Sequence, residues 1–292
     1  MNTLPCNLFL LLKLLIEYIK TKGRKRLIFL LYYLREDYSN FDDGILVTEI
    51  GYFGHHLEKA LKHPCRGSRG SEKRNRLEKL LSEYERRESR NNSLIEWARH
   101  LINYYDNNKK FYLNRIEKFA IRERNETMIG YITKRTTTRF WQPKEVESAI
   151  LDEIIDISLS APISCNRQSI KFLVKKNVEQ HMELGNSSNT SMIQKAPVVI
   201  YVAVDTRFYN EKYAPALDAG SVCSTLLLCA QAFGLYGCWI YAADSREVQN
   251  LFQKATEFSK YCIVFSALAL GYPMDSPRKP PRVKNVGFMP SV

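Results

Sequence analysis

The stretch Arg135–Arg139 carries polar side chains at a spacing that suits a phosphate group. Arg135, Thr137 and Arg139 fall two residues apart, so in an extended segment their side chains point the same way. Arginine binds phosphate in a forked, bidentate manner, and two guanidinium groups with a hydroxyl group match a dianionic phosphate. The alternative is a solvated strand of threonine and arginine that binds no ligand.

A second polar stretch lies further along the chain, in a loop that follows Pro162 and contains Asn166 and Gln168. Each carboxamide group offers hydrogen-bond donors and acceptors, so the pair can bind the edge of a heterocycle that presents both kinds of atom. The alternative is a turn in which serine and asparagine side chains bond to their own backbone. The loop by itself does not decide between the two.

The elements around this loop follow from its apolar neighbours. Apolar residues recur at helical spacing from Val146 to Ser160, which predicts an amphipathic helix. Pro162 ends the helix because proline cannot continue one. The apolar run Ile170–Val174 then predicts a strand, so the polar loop joins a helix to a strand.

Three further elements are predicted downstream. The near-continuous apolar run Ala196–Asp205 is typical of a strand in the middle of a covered sheet. The segment Ala219–Phe233 is apolar almost all round, which predicts a buried helix, with Asp218 as its N-cap and Gly234 at its C-terminal cap. The run Cys262–Leu270 predicts the last strand.

In this order and spacing, the motifs resemble the nitroreductase family of FMN-dependent oxidoreductases. The stretch Lys134–Trp141 is similar to the family's Arg-Arg-Ser-x-Arg-x-Phe motif, and the loop is similar to Ala-Pro-Ser-x-x-Asn-x-Gln-Pro. The run Leu270–Pro273 and the basic tail after it resemble the end of the family's domain. The resemblance covers about Tyr131 to Phe288 and departs from the pattern at Thr136, Cys165 and Ser169, where relatives often have Arg, Gly and Pro.

The resemblance implies an α+β fold of the FMN-dependent nitroreductase type. This fold has a mixed, mostly antiparallel central sheet flanked by helices. We therefore predict a basic, all-α N-terminal extension over residues 1–130 and an FMN-binding domain over residues 131–292. The family builds its flavin site from two subunits, so a homodimer with FMN at the interface is also predicted.

The resemblance also implies which residues bind FMN. The cofactor-binding positions are Arg135, Thr137, Arg139, Pro162, Ile163, Ser164, Asn166, Gln168, Tyr241, Ala242, Arg278 and Lys279. Arg135 would meet the phosphate, and Arg139 the O2 side of the flavin. Asn166 and Gln168 would bond to the ribityl chain and the ring, and the main chain near Tyr241 and Ala242 would approach N5 and O4. Arg278 and Lys279, with Arg282, would add positive charge for the phosphate.

The implied reaction passes a hydride from NAD(P)H through FMN N5 to a small-molecule electron acceptor. FMN supplies the chemistry, so no side chain is predicted as a catalytic acid or base, and the charge of Arg139 would stabilise the reduced flavin. No G-x-G-x-x-G follows a predicted strand, which fits a family in which nicotinamide stacks on flavin. Nitro compounds, quinones, free flavin and biosynthetic intermediates all remain open as acceptors.

The net charge of +12 favours anionic partners, and most of it lies before residue 131. The Leu-rich segments Asn7–Lys20 and Arg26–Arg35 flank a basic patch. They predict either a peripheral membrane contact through residues 1–35 or helices that pack on a core. The alternative function is therefore a non-catalytic, flavin-binding scaffold docked through these helices to a membrane or a biosynthetic complex.

The seven cysteines form no C-x-x-C pair and no signal peptide is evident, which favours a cytoplasmic location, with the inner face of the membrane as the open alternative. Nucleic-acid binding is disfavoured because glutamates are scattered through the helices predicted over Glu72–Lys118. His56 and His63 share a helical face, but no second ligand pair follows at zinc-like spacing. Cys165 has no histidine context that would make it a nucleophile.

Overall fold

The computed structural model describes residues 38–62, 70–87, 92–107, 125–176 and 195–274. These residues divide into two compact units. The first unit takes the described part of Met1–Phe119 together with Pro162–Ile170 and Asp205–Asp218. The second takes the described parts of Ala120–Ala161, Lys171–Val204 and Ala219–Val292.

Three helices form most of the first unit: α1 (Asp43–Leu61), α2 (Ser71–Arg86) and α3 (Ser93–Asn107). Helix α1 begins at the N-cap Asp42, whose side chain accepts from the backbone N–H of Ile45 at 2.8 Å, so one of the orphan donors of the first turn is satisfied. The helices bury aliphatic residues between them, including Leu57, Leu77 and Leu101.

Helices α1 and α3 approach each other closely at a glycine. A Cβ atom on Gly54 would lie 2.8 Å from Cη2 of Trp97, so only a residue without a side chain allows this contact. Arg74 on α2 donates to both carboxylate oxygens of Asp106 on α3, at 2.9 and 2.6 Å. The amphipathic helices predicted in this region are therefore present over α2 and α3, and the remainder of the prediction to Lys118 lies outside the described residues.

The second unit contains a four-stranded sheet with the order β1-β2-β4-β3. Its strands are β1 (Ile170–Lys176), β2 (Val198–Asp205), β3 (Tyr236–Tyr241) and β4 (Cys262–Gly271). All eight residues of β2 are buried, as predicted for a central strand. Strand β3 pairs antiparallel with β4, and Tyr236 lies opposite Gly271.

Four helices complete the described chain: α4 (Glu126–Lys134), α5 (Ser148–Ser158), α6 (Ala214–Ala232) and α7 (Arg246–Ala255). Helix α7 buries Val248, Leu251 and Phe252, one face of the helix. The α+β fold with a central sheet and helices, and the helical N-terminal part, confirm the predicted fold class.

One predicted helix start is wrong. Helix α6 begins at Ala214 rather than at Ala219, because Pro215 lies in its first turn, where a missing backbone N–H costs little. Asp218 is therefore inside the helix and does not cap it. The predicted C-terminal cap is confirmed: Gly234 has φ 73°, and the N–H of Leu235 donates to the carbonyl of Ala230 at 2.9 Å.

Several predictions fall on other parts of the chain. The two Leu-rich N-terminal helices, Arg278, Lys279 and Arg282 lie outside the described residues. No helix in the ranges that the structure describes is both long and apolar enough to cross a membrane.

Candidate functional site

The stretch Arg135–Arg139 is extended and alternates between the interior and the surface of the second unit. Thr136 and Thr138 are buried, with 6% and 3% of their surface exposed, whereas Arg135, Thr137 and Arg139 are not. Thr137 forms a parallel bridge with Gly237 at the start of β3. The three residues predicted to share a face are thus held along the outer edge of the sheet.

A glycine makes this edge tightly packed. A Cβ atom on Gly237 would lie 2.7 Å from the carbonyl oxygen of Ala269 and would also overlap the Leu270 side chain. The indole N–H of Trp141 donates to the carbonyl of Tyr236 at 3.0 Å, and the N–H of Gln142 donates to that of Tyr272 at 2.9 Å. These bonds fix the segment after Arg139 to the ends of β3 and β4.

The two arginines of this stretch are available to an anion. Within the described ranges, neither Arg135 nor Arg139 pairs with a carboxylate. The guanidinium group of Arg139 lies beside the thiol of Cys238: burial raises the pKa of this thiol, and Arg139 partly opposes the rise. Both guanidinium groups carry a positive charge.

At the other end of β3, Tyr241 and Ala242 differ in what their backbone can offer. The N–H of Ala242 donates to the carbonyl of Phe265 at 3.1 Å, so it is already committed within the sheet. Because hydrogen-bonded and non-bonded pairs alternate in an antiparallel ladder, the N–H of Tyr241 points away from β4. Of the two predicted amides, only that of Tyr241 faces the open edge of the sheet.

The other predicted residues lie in the first unit, in residues 162–168, which we call the carboxamide loop. Cys165 and Asn166 have φ values of 53° and 51°, the left-handed region that costs a residue with a side chain roughly 1–2 kcal/mol. Asparagine tolerates it best among such residues. A glycine at position 165 would adopt this conformation without that cost.

Asn166 and Gln168 form a pair. The Nε2 group of Gln168 donates to both the main-chain oxygen and Oδ1 of Asn166, at 3.0 and 2.9 Å. Among the described residues, Nδ2 of Asn166 and Oε1 of Gln168 have no hydrogen-bond partner. The pair therefore leaves one donor group and one acceptor group unused, side by side.

A buried carboxylate that sequence reasoning assigned to a helix cap holds the start of the carboxamide loop. Asp218 accepts from the backbone N–H of Ser164 at 3.0 and 3.1 Å and from its hydroxyl group at 2.8 Å. It also accepts from the hydroxyl group of Tyr209 at 2.7 Å, which is 2.6 Å from the Ser169 hydroxyl oxygen. Both hydrogen-bond donors of Ser164, its backbone N–H and its hydroxyl group, are therefore used within the protein. Only its hydroxyl oxygen can still accept a hydrogen bond from a ligand.

Arg167, in the same loop, was not identified from the sequence as part of the site. It is only 3% exposed, and its guanidinium carbon lies 4.7 Å from the ring centre of Tyr209 and 5.5 Å from that of Tyr52. Its contact to Glu211 is long, at 3.4 and 3.5 Å. Aromatic faces favour a cation at these distances, so Arg167 fixes the loop from within. Only its basic character in a polar loop could have indicated it.

The remaining predicted residues are Pro162, which is exposed, and Ile163, which is half-buried. Both open the carboxamide loop. The set Arg135, Thr137, Arg139, Tyr241 and Ala242 is brought together along β3, and the set from Pro162 to Gln168 is brought together in the first unit. Arg278 and Lys279 lie outside the described residues.

A cavity of about 570 Å³ in the second unit is separate from these residues. It is lined by Trp141, by the ends of β1 and β2, and by Lys144, Lys176 and Lys195. None of the predicted flavin residues lines it. No cluster of three or more potential metal ligands occurs in the part of the chain that the structure describes.

Each of the two sets, taken by itself, offers groups that suit one part of FMN. In the second unit, the guanidinium group of Arg135 suits a phosphate group, and Arg139, beside Cys238, adds a second positive charge. In the first unit, the carboxamide pair suits ring or ribityl atoms that both donate and accept. The open N–H of Tyr241 is a donor of the kind that a ring nitrogen or carbonyl group needs. Among the described residues, the backbone N–H of Ala242 and the two donors of Ser164 are already used within the protein. The other predicted polar groups can still form a hydrogen bond or an ion pair with a ligand.

Comparison with known proteins finds the family that the motifs resemble. The family model described as "Nitroreductase family" matches residues 132–198, which include the Arg135–Arg139 stretch and the carboxamide loop. A proposed NADH dehydrogenase/NAD(P)H nitroreductase of Methanothermobacter thermautotrophicus is 26% identical over 149 residues, which are 50% of this chain and 77% of that protein. An FMN reductase [NAD(P)H] of Bacillus subtilis is 25% identical over 175 residues, 53% of this chain and 70% of that protein.

Among solved structures, an FMN-dependent nitroreductase from Clostridium difficile is 22% identical, with a TM-score of 0.48. The match covers 55% of this chain and 95% of that one. The resemblance inferred from the motifs is confirmed by the family model: residues 132–198 match the nitroreductase family, and the helices α1, α2 and α3 precede them.

Proposed function

We propose that this protein is an FMN-dependent oxidoreductase that takes hydride from NAD(P)H and passes it to a small-molecule acceptor. One observation carries the proposal. The model of the nitroreductase family matches residues 132–198, which include both the Arg135–Arg139 stretch and the carboxamide loop. The polar groups of these two stretches that have no partner among the described residues are half-buried or exposed, so a ligand can reach them.

FMN, when bound, supplies the acceptance of hydride from NAD(P)H and its delivery to the acceptor. The chain's own residues bind and tune the cofactor. Arg135 and Thr137 would hold the phosphate group, and the positive charge of Arg139 would stabilise negative charge on the reduced flavin. The N–H of Tyr241 would donate to the ring, and the carboxamide pair would hold the ring and the ribityl chain.

The proposal includes a homodimer, which the exposed apolar side chains of the second unit support. Helix α4 has no buried residue, and its apolar side chains Met128 and Ile132 are 61% and 51% exposed. Trp239 and Phe140, along the edge of β3, are 43% and 65% exposed. Large apolar side chains left exposed together suit an interaction surface, and a second copy of the chain is the partner that the family resemblance implies.

The phosphate assignment can be tested by titrating FMN and riboflavin into the apo-protein. Riboflavin lacks the phosphate group, so Arg135→Gln should weaken FMN binding by roughly 10- to 100-fold, the effect of one charge-assisted hydrogen bond, and leave riboflavin binding nearly unchanged. Arg246→Gln removes the same charge from an exposed position on α7 and should change neither. Equal losses for both ligands, or none for FMN, would refute the phosphate site.

A further inference from the structure

We infer that helix α1 is a positioning element of the carboxamide loop, and that Gly51 on this helix sets the position of Asn166. The inference rests on the proposed function only in naming the ligand of this loop as the heterocycle and ribityl chain of FMN. It gives the N-terminal helical part a role in building the cofactor site, in place of a separate docking module.

The contact between the helix and the loop is direct. A Cβ atom on Gly51 would lie 2.6 Å from the main-chain oxygen of Asn166 and 3.3 Å from Cγ of Gln168. The first distance is shorter than any contact that a real Cβ atom makes with a backbone atom. The backbone of α1 therefore lies against the two residues whose side chains form the carboxamide pair.

The atom that meets Gly51 matters for the pair itself. The main-chain oxygen of Asn166 also accepts from Nε2 of Gln168 at 3.0 Å, and that bond keeps the two carboxamide groups side by side. An alanine at position 51 would have to push this oxygen or the helix away by roughly half an ångström or more to restore an ordinary contact. The unused donor and acceptor of the pair would move with it.

Helix α1 cannot simply retreat, because it is held at several points. Its N-cap Asp42 accepts from Nη1 of Arg207 at 3.0 Å, and Arg207 also donates from Nε to both oxygens of Asp205 at 3.0 Å. Further along the helix, Leu57 is fully buried.

The residue beside Gly51 strengthens the same contact. The ring of Tyr52 lies over the guanidinium group of Arg167, at 5.5 Å. Burial and, to a smaller extent, the neighbouring Cys165 raise the pKa of Tyr52. Asp218 holds the loop at Ser164, so the two left-handed residues, Cys165 and Asn166, lie between two fixed supports, as strained backbone requires.

The test uses two glycine substitutions on the same helix. Gly51→Ala and Gly54→Ala each introduce a methyl group that overlaps a neighbour, but only the first points at the carboxamide loop. Both variants should melt at lower temperature than the wild type. Gly51→Ala should also weaken FMN binding by about tenfold or more, the loss expected from misplacing one hydrogen-bonding pair, whereas the folded Gly54→Ala protein should bind FMN as the wild type does.

A second readout needs no flavin. Among the described cysteines, Cys165 in the loop and Cys229 are half-buried, whereas Cys223, Cys238 and Cys262 are buried. The rate at which a small alkylating reagent modifies Cys165, followed by peptide mass spectrometry on the full-length apo-protein, should rise in Gly51→Ala and stay at the wild-type value in Gly54→Ala. If Gly51→Ala does not fold, Tyr52→Ala removes the adjacent support without adding bulk and should raise the same rate.

The outcomes separate this inference from the proposed function. A raised Cys165 rate in a protein that binds no FMN, even in its wild-type form, would support the positioning role and refute the flavin assignment. Wild-type alkylation of Cys165 in Gly51→Ala, or an equal increase in Gly54→Ala, would overturn the positioning role whatever the flavin affinity.

Discussion

Tyr201 shows how burial in the central strand controls an ionisable side chain. It is fully buried on β2, and its hydroxyl group has no hydrogen-bond partner among the described residues. Burial raises its pKa well above the ordinary value of 10.0. Burial and Asp218 likewise raise the pKa of Tyr209, whereas the hydrogen bond with Ser169 lowers it.

The raised pKa values predict a loss of stability in alkaline solution. Above about pH 10 these tyrosines lose their protons in the unfolded chain but keep them in the folded protein. The unfolded state then binds fewer protons, so the free energy of unfolding falls as the pH rises. The contribution is complete below about pH 10 and is lost progressively above it.

We expect Tyr201→Phe to reduce the decrease in the free energy of unfolding that occurs in alkaline solution. At pH 7 the substitution deletes an unpaired hydroxyl group, so the free energy of unfolding should stay the same or rise by up to about 1 kcal/mol. Urea titrations at about pH 9 and about pH 11 should show a smaller decrease for the variant than for the wild type. Tyr213→Phe, at a position 69% exposed, is the matched control. Equal decreases in Tyr201→Phe and the wild type would contradict the explanation.

At the scale of elements, glycines decide how closely the strands and helices approach. Gly237 lies where a Cβ atom would meet Ala269 at 2.7 Å, whereas a Cβ atom on Gly220 would meet only Trp239, at 3.6 Å. We expect Gly237→Ala to lower the free energy of unfolding by about 1–3 kcal/mol through overpacking. Gly220→Ala, inside α6, should leave it unchanged or raise it by up to about 1 kcal/mol. Thermal melts of the two variants would show this difference, and similar melts would argue against the register of β3 on β4.

Elements with a clear local pattern were predictable. The helix at α5 followed from apolar periodicity, and β2 followed from its continuous apolar run, because both signals lie within a short stretch of sequence. The start of α6 was missed because Asp218 was predicted as the N-cap, whereas the helix begins at Ala214 with Pro215 in its first turn, where proline is tolerated. Asp218 then fell inside the helix rather than at its cap.

The candidate site was predictable only as far as its motifs reach. The alternation of Arg135, Thr137 and Arg139 could be anticipated from an extended backbone. Three contacts could not be anticipated: the hydrogen bond that the Ala242 amide donates within the sheet, the hydrogen bonds from Ser164 to Asp218, and the contact of Gly51 with Asn166. Each joins residues far apart in the sequence, and a main-chain contact leaves no side-chain pattern to detect.

At the scale of the whole molecule, the described residues form two compact units whose segments alternate along the chain. The sequence predicted a simple boundary at residue 130, and the assignment of 1–130 and 131–292 as domains stays a prediction. The first unit nevertheless includes Pro162–Ile170, so the helical part and the carboxamide loop belong to one compact body.

We expect the protein to be a homodimer that depends on the apolar face of α4. Ile132→Glu places a charge at a residue 51% exposed, where desolvating it in an interface would be costly, and should shift the molar mass in light scattering towards the monomer value. Thr127→Glu adds the same charge at an exposed polar position on this helix and should leave the mass unchanged. A monomeric wild-type protein, or a dimer in both variants, would contradict the proposed interface.

The most direct measurement of the proposed function is an absorbance spectrum of the purified protein before and after anaerobic addition of NADH or NADPH. The account predicts flavin bands near 450 nm that bleach on addition of the nucleotide, because a bound and reducible FMN is its central claim. Bands that persist would indicate a flavin-binding protein without this reductase activity. A colourless protein that takes up no FMN when the cofactor is supplied would contradict the assignment of Arg135, Arg139 and the carboxamide loop to a flavin site.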